Sequence, residues 1–288
     1  MSIVVTGATG HLGRLAVEAL LARGMPADQI VATGRRIEAL ADLHDRGVTV
    51  RRADYDAPES LRAAFAGADK LLLVSGSEIG QRVPQHRNAI TAAKEAGVRL
   101  IAYTSVARAD SSSLGIAGEH KATEQLLAES GIPHVVLRNG WYTENYTGQL
   151  GTYLANGIVG SAGEGRISAA TRADYAEAAA AVVLEDGHAG AVYELGGAAF
   201  TMSELAATVS AVTGTDVAYT DVPVERFATI LEGAGLPAPV AGMFADIDRS
   251  VAAGDLFVEG SDLEKLIGRA PTPLADAVAA AVAAPKQA

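Results

Sequence analysis

The chain has 288 residues, 49% of them hydrophobic and 20% charged, with a mean hydropathy of +0.19. That composition excludes a disordered chain and provides enough apolar surface for an unaided core. A formal net charge of −11 excludes general attraction to nucleic acid or anionic lipid. The absence of cysteine excludes disulfides, thiolate nucleophiles and cysteine-ligated metal clusters.

The apolar run Ile3–Val5 is too short for a secretory leader and runs directly into glycines. No stretch approaches the roughly 20 apolar residues of a membrane span. The expectation is a cytoplasmic protein with no membrane span and no nucleic-acid partner. Its oligomeric state is left open, a homo-oligomer included.

In chain order, short β-rich runs alternate with amphipathic stretches. Ile3–Thr6 reads as a strand, and Leu12–Arg23 as a helix with Leu12, Leu15, Ala16, Ala19 and Leu20 on one face. Strand Ile30–Thr33, helix Ile37–Arg46 and strand Val48–Arg51 follow. Pro58 opens a helix over Glu59–Ala66. Lys70–Val74 is apolar enough for a strand covered on both faces. Helix Pro84–Ala96, strand Val98–Thr104, helix Gly118–Ser130 and strand His134–Leu137 complete the regular part. Beyond Tyr146 the pattern loosens. Helices are predicted at Tyr175–Leu184, Met202–Val212, Val224–Gly233 and Leu274–Ala284, with a strand at Ala191–Leu195.

Such alternation predicts an α/β fold, a Rossmann-type doubly wound parallel sheet with a smaller C-terminal α/β lobe. The expected division is residues 1–146 for the dinucleotide-binding part and 147–288 for a substrate-side lobe. Later strands of that lobe are free to return to the main sheet.

The strongest local feature is Gly7-Ala8-Thr9-Gly10-His11-Leu12-Gly13, between a strand and a helix. Gly7 permits a tight turn, Gly10 lets backbone approach a pyrophosphate, and Gly13 permits close helix–strand packing. The helix N-terminus supplies N–H donors to phosphate. At the end of the second strand stand Arg35 and Arg36, with no acid before Glu38. An acid about 20 residues past the loop would take the ribose hydroxyl of NAD, whereas a guanidinium suits the 2′-phosphate of NADP. Arg35 therefore predicts NADPH, against the alternative of a solvated surface pair. Asp54 after the third strand is a candidate for the adenine amino group, or a helix cap before Pro58. Ser75, Gly76 and Ser77 end the fourth strand, where the ligand crevice of such sheets lies.

The chemistry is marked by what is missing. Carbonyl-reducing short-chain dehydrogenases carry Tyr-x-x-x-Lys, and no tyrosine here has a lysine four residues on. Ser105 stands at a strand end without those partners. There is no nucleophile-elbow serine and no Walker lysine. His120 and Glu124 have helical metal-ligand spacing but no third ligand, so no metal is expected. An acceptor such as a quinone needs little acid catalysis, only a nicotinamide held against a flat ring. Asn139, Gly140, Trp141, Tyr142 and Asn145 lie in a stretch holding the single Trp and two of the eight Tyr, beside amides. Trp141, Tyr142 and Asn145 are the candidates for gripping the acceptor, by stacking and hydrogen bonding. The alternative is that Trp141 anchors the second lobe.

These residues resemble the NmrA-like branch of the atypical short-chain dehydrogenases, nearest to its bacterial quinone reductases. The resemblance spans nearly the whole chain. It rests on VTGATGHLG (5–13), EIGQRVPQHRN (78–88), AYTS (102–105), LRNGWYTENY (137–146), SAATRADYAEAAA (168–180) and KLIGRAPTPLADAV (265–278). It implies NADPH in a cleft between two lobes, no flavin, and two-electron reduction of a quinone. It also implies cofactor contacts from Gly7–Gly13, Arg35, the Ser75–Ser77 strand end, the Asn139–Asn145 loop and Arg172. The same neighbourhood holds members that bind NADP without turnover, so a non-catalytic redox sensor is the alternative.

Overall fold

The computed structural model describes residues 1–284. Its first half alternates β1 (Ile3–Val5), α1 (His11–Ala22), β2 (Ile30–Gly34), α2 (Ala41–Asp45), β3 (Thr49–Arg52), α3 (Pro58–Phe65) and β4 (Lys70–Leu73). The alternation continues through α4 (Arg82–Glu95), β5 (Leu100–Val106), α5 (Ala117–Ser130) and β6 (His134–Asn139). Six of these strands and a later one, β10 (Val192–Leu195), form a seven-stranded sheet, parallel throughout, in the order β3-β2-β1-β4-β5-β6-β10. The order reverses between β1 and β4. The crevice at their carboxyl ends is where doubly wound sheets bind ligands.

Alternate strand residues feed two cores. Ile3, Val5, Leu72, Ala102 and Leu137 pack with the Leu12, Ala16 and Leu20 face of α1. Val4, Leu71, Leu73, Ile101 and Val136 pack with Leu61, Phe65 and Ala89 on the opposite face. The period of two along each strand puts neighbours on opposite sides, so burial on both faces requires runs as apolar as Leu71-Leu72-Leu73.

The remaining elements are β7 (Trp141–Tyr142), α6 (Glu144–Thr147), α7 (Leu150–Asn156), β8 (Ile158–Gly160), β9 (Ala169–Ala170), α8 (Arg172–Leu184), β10 (Val192–Leu195), α9 (Met202–Thr213), β11 (Tyr219–Asp221), α10 (Val224–Gly233), α11 (Ala238–Ala252), α12 (Asp262–Ile267) and α13 (Leu274–Ala283). A third core collects Leu150, Ile158, Phe200, Leu205, Val209, Val251 and Val278 from this part. The chain does not leave the sheet for good at Tyr146, since β10 pairs with β6 and α8 packs on α1. The buried alanines 178–181 of α8 let it approach both α1 and the sheet closely.

Several boundaries differ from the sequence reading. Ile37–Arg46 is a 3-10 turn over Ile37–Leu40 followed by the short α2, not one helix. The fifth strand starts at Leu100 and runs to Val106. α7, α11 and α12 are additional helices. α11 was hidden by Pro237 and Pro239, which fall at its N-cap and first turn, where proline is tolerated. Among the described residues no helix is long and apolar enough to cross a membrane.

Candidate active site

A cleft of about 440 Å³ opens at the carboxyl ends of β1, β2, β3 and β4. One side of it is the β1–α1 turn, contributing Gly7, Thr9, Gly10, His11, Leu12 and Gly13. Gly7 has φ +62, a left-handed turn that glycine adopts without strain. A Cβ on Gly13 would lie 2.3 Å from the Gly7 carbonyl oxygen, so only glycine lets α1 start this close to the turn. The α1 N-terminus has Gly10 as its N-cap and no side-chain cap. Its first N–H groups therefore face the cleft without a side-chain acceptor, the arrangement that takes an anion. Ala8 is buried and its N–H is spent on the Thr33 carbonyl at 2.8 Å, so it supports the turn without lining the cleft.

Arg35, Arg36, Asp54 and Tyr55 line the side at the ends of β2 and β3, and Val74, Ser75, Gly76, Ser77 and Glu78 the wall beyond. Arg35 is exposed and pairs with Glu78 at 2.8 Å. Asp54 faces the cleft, and its carboxylate accepts the Asp56 N–H at 3.1 Å; the N-cap of α3 is Ala57, so Asp54 shapes the turn without capping the helix.

At the far end stand Tyr142 and Arg172. The Arg172 guanidinium lies over the Tyr142 ring, 4.6 Å from its centroid, and Tyr175 meets that ring edge-on. Arg172 also donates to Asn145 Oδ1 at 3.2 Å and lies 3.8 Å from Glu144. Burial pushes the Tyr142 phenol above its ordinary value, and the nearby Arg172 partly offsets this. The phenol therefore stays protonated at neutral pH.

Asn139, Gly140, Trp141 and Asn145 do not line this cleft. Successive residues of β7 point to opposite faces. Tyr142 packs toward the main core beside the cleft, and Trp141 packs toward the third core. The structure thus favours the anchoring alternative for Trp141. Gly140 is buried, and a Cβ there would lie 2.7 Å from the Ser168 carbonyl oxygen. Asn139 is buried with both amide atoms unpartnered, and Asn145 reaches the site only through Arg172.

The dehydrogenase positions the sequence lacked are occupied by other bonds. Ser105 donates to Glu124 at 2.6 Å, and Arg138 donates to the same carboxylate at 3.0 and 2.7 Å. His120 hydrogen-bonds the Tyr103 hydroxyl at 2.8 Å. Burial, then the charge of Arg82, lower its pKa to about 3. His120 and Glu124 thus serve separate structural networks. Sequence reasoning also missed Tyr55, whose hydroxyl donates to the Val74 carbonyl at 2.6 Å, and the inward face of α4.

Residues 1–276 match the NmrA-like family. The chain belongs to that family. It is 49% identical to quinone oxidoreductase 2 of Escherichia coli K12 over 278 residues, covering 96% of this chain and 97% of that one. The crystal structure of the E. coli NADPH-dependent quinone oxidoreductase complexed with NADPH superposes with a TM-score of 0.93 at 48% identity, covering 96% and 99% of the two chains. A Citrobacter triphenylmethane reductase complexed with NADP(H) superposes at 0.92 with 41% identity, covering 97% and 100%.

Proposed function

We propose that this NmrA-like chain is an NADPH-dependent quinone reductase that works without flavin. The observation that carries the reading is the uncapped α1 N-terminus opening, together with Arg35, into one cleft whose far end holds Tyr142 and Arg172. The similarity to the E. coli quinone reductase supports it. The glycine cradle fits a dinucleotide: at Gly13 a side chain would collide with backbone, and at Gly34 a Cβ would lie 2.6 Å from Thr9.

The Gly7–Gly13 turn holds the pyrophosphate by those backbone N–H groups that are not already spent, as Ala8 is on Thr33 and Gly10 on Gly7. Arg35 takes the 2′-phosphate. Its exposed pair with Glu78 is of a kind worth about 1 kcal/mol or less, so it yields readily to a phosphate. Asp54 takes the adenine amino group, and Ser75–Ser77 let the cofactor pass close to backbone. Bound NADPH supplies a hydride to the acceptor. Tyr142, steadied by Arg172, presents a protonated hydroxyl and an aromatic edge at the end where the acceptor enters. Asn145 orients Arg172.

The test is equilibrium titration of NADPH and NADH fluorescence, followed by turnover with a simple benzoquinone and with a triphenylmethane dye. Tight NADPH binding, weaker NADH binding and quinone-dependent oxidation are expected. Binding without turnover on either acceptor overturns the reductase reading. Turnover on the dye alone moves the substrate class from quinones to cationic dyes.

A further inference from the structure

Nothing in the phosphate or acceptor chemistry above uses the Gly80–Asn88 stretch, although it is among the narrowest features of the sequence. In the structure it opens α4, and its buried face is polar: Arg82, Gln85 and His86 are 5%, 3% and 0% exposed. Polar groups are buried at a cost unless they are bonded, so each should have a defined partner. The partners converge on one wall of the cleft. Arg82 Nε donates to the Gly76 carbonyl at 2.9 Å, and the Gly76 N–H donates to His86 Nε2 at 3.0 Å. Gln85 donates to Glu78 and to Asp56, both at 3.1 Å. Asn88 donates to the Tyr55 carbonyl at 2.9 Å. Tyr55 in turn donates to the Val74 carbonyl, while Thr6 and Thr104 hydroxyls accept the N–H groups of Val74 and Ser75, each at 2.9 Å.

The segment Val74–Gly76 lies past the end of β4, where ladder pairing has stopped. Its backbone is fixed instead by side chains from Thr6 just past β1, from β5 and α4, and from the turn after β3. The proton positions at His86 follow from the bonds. Gly76 N–H is a donor, so Nε2 must be an acceptor. Thr123 gives its own hydrogen to the Glu119 carbonyl at 2.9 Å, so its oxygen accepts from His86 Nδ1–H, also at 2.9 Å. A single neutral tautomer satisfies both ends. Burial, then the charge of Arg82, hold the imidazole in that neutral form.

We propose that His86 is a positioning residue for NADPH: by accepting the Gly76 N–H it fixes the Val74–Gly76 wall in the shape the cofactor lies against. This rests on the cleft being the NADPH site, and the wild-type titration tests that premise separately.

The experiment measures NADPH affinity by fluorescence titration, thermal midpoint, kcat and KM for H86L, H86Q and T123V. H86L removes the acceptor and should raise the NADPH Kd about tenfold, equivalent to about 1.4 kcal/mol. Its kcat at saturating cofactor should stay within about twofold. H86Q can place an amide oxygen near the Nε2 position and should recover most of the affinity. T123V frees Nδ1 and should raise Kd about threefold. A folded H86L with wild-type affinity overturns the proposal, as does equal weakening in H86L and H86Q. If H86L fails to fold, T123V decides, and an unchanged Kd in T123V overturns it. Wild-type protein that does not bind NADPH removes the cofactor reading itself.

Discussion

The two ends of the cleft are built from different materials. The end at the β1–α1 turn is backbone: a left-handed Gly7, an uncapped helix and a Gly13 whose Cβ would collide with the Gly7 oxygen. The opposite end is side chain: Tyr142 under Arg172, contributed by elements 30 residues apart and steadied by Tyr175 and Asn145. A backbone site tolerates no substitution but needs only a few adjacent residues to specify it. A side-chain site is assembled by tertiary packing, and its members can be exchanged one at a time. The first should therefore fail abruptly on mutation, and the second by degrees.

Gly13→Val should show the largest effect. With the first side-chain atom 2.3 Å from the Gly7 oxygen, either the turn or α1 must move. NADPH affinity should fall more than about a hundredfold, roughly 3 kcal/mol, or the protein should fail to fold. Titration and circular dichroism distinguish these outcomes, and a soluble variant of near-normal affinity breaks the comparison. Arg35→Ala comes next. Loss of a charge-assisted phosphate contact costs about 1.5–3 kcal/mol, so NADPH binding should weaken about ten- to a hundredfold while NADH binding barely changes. Equal loss for both cofactors would remove Arg35 from the 2′-phosphate.

At the other end, Arg172→Met keeps length but loses the cation over Tyr142 and the bond to Asn145. Quinone turnover should fall about tenfold, about 1.4 kcal/mol, with NADPH affinity changed less than about threefold. A matching loss of NADPH affinity would place Arg172 on the cofactor instead.

A further expectation is a dependence of stability on pH, and it concerns the wall between the two ends. Burial, then the charge of Arg82, push His86 and His120 down to about 3 when folded, against about 6.5 for an unburied imidazole. The unfolded chain thus binds more protons between those values, and stability should fall as pH drops below about 6.5. The expected slope is on the order of 1 kcal/mol per pH unit for each histidine. Thermal midpoints of wild type and H86Q over pH 7 to 5 check this, and H86Q should fall less steeply.

What could be read from the sequence follows the same division. The glycine turn that lines the cleft was legible because its glycines recur every third residue between a strand and a helix. The place of Arg35 in the same cleft was legible because its distance from that turn is set by one strand–helix–strand unit. The wall was not, because α4 has a buried face of Arg82, Gln85 and His86 that resembles a solvent face in any apolar pattern. Trp141 was read together with Tyr142 as facing the acceptor, but neighbours on a strand face opposite ways, and only packing reveals which one reaches the cleft. The return of β10 beside β6 was foreseeable only in outline, since a parallel pairing more than 50 residues apart leaves no local mark.

The most direct measurement is anaerobic stopped-flow mixing of the flavin-free protein, loaded with NADPH, against one equivalent of benzoquinone. The account predicts that NADPH and quinone disappear one for one in a single phase, with hydroquinone formed and no semiquinone. Bound NADPH that persists in the presence of quinone would contradict it and leave a protein that binds the cofactor without spending it.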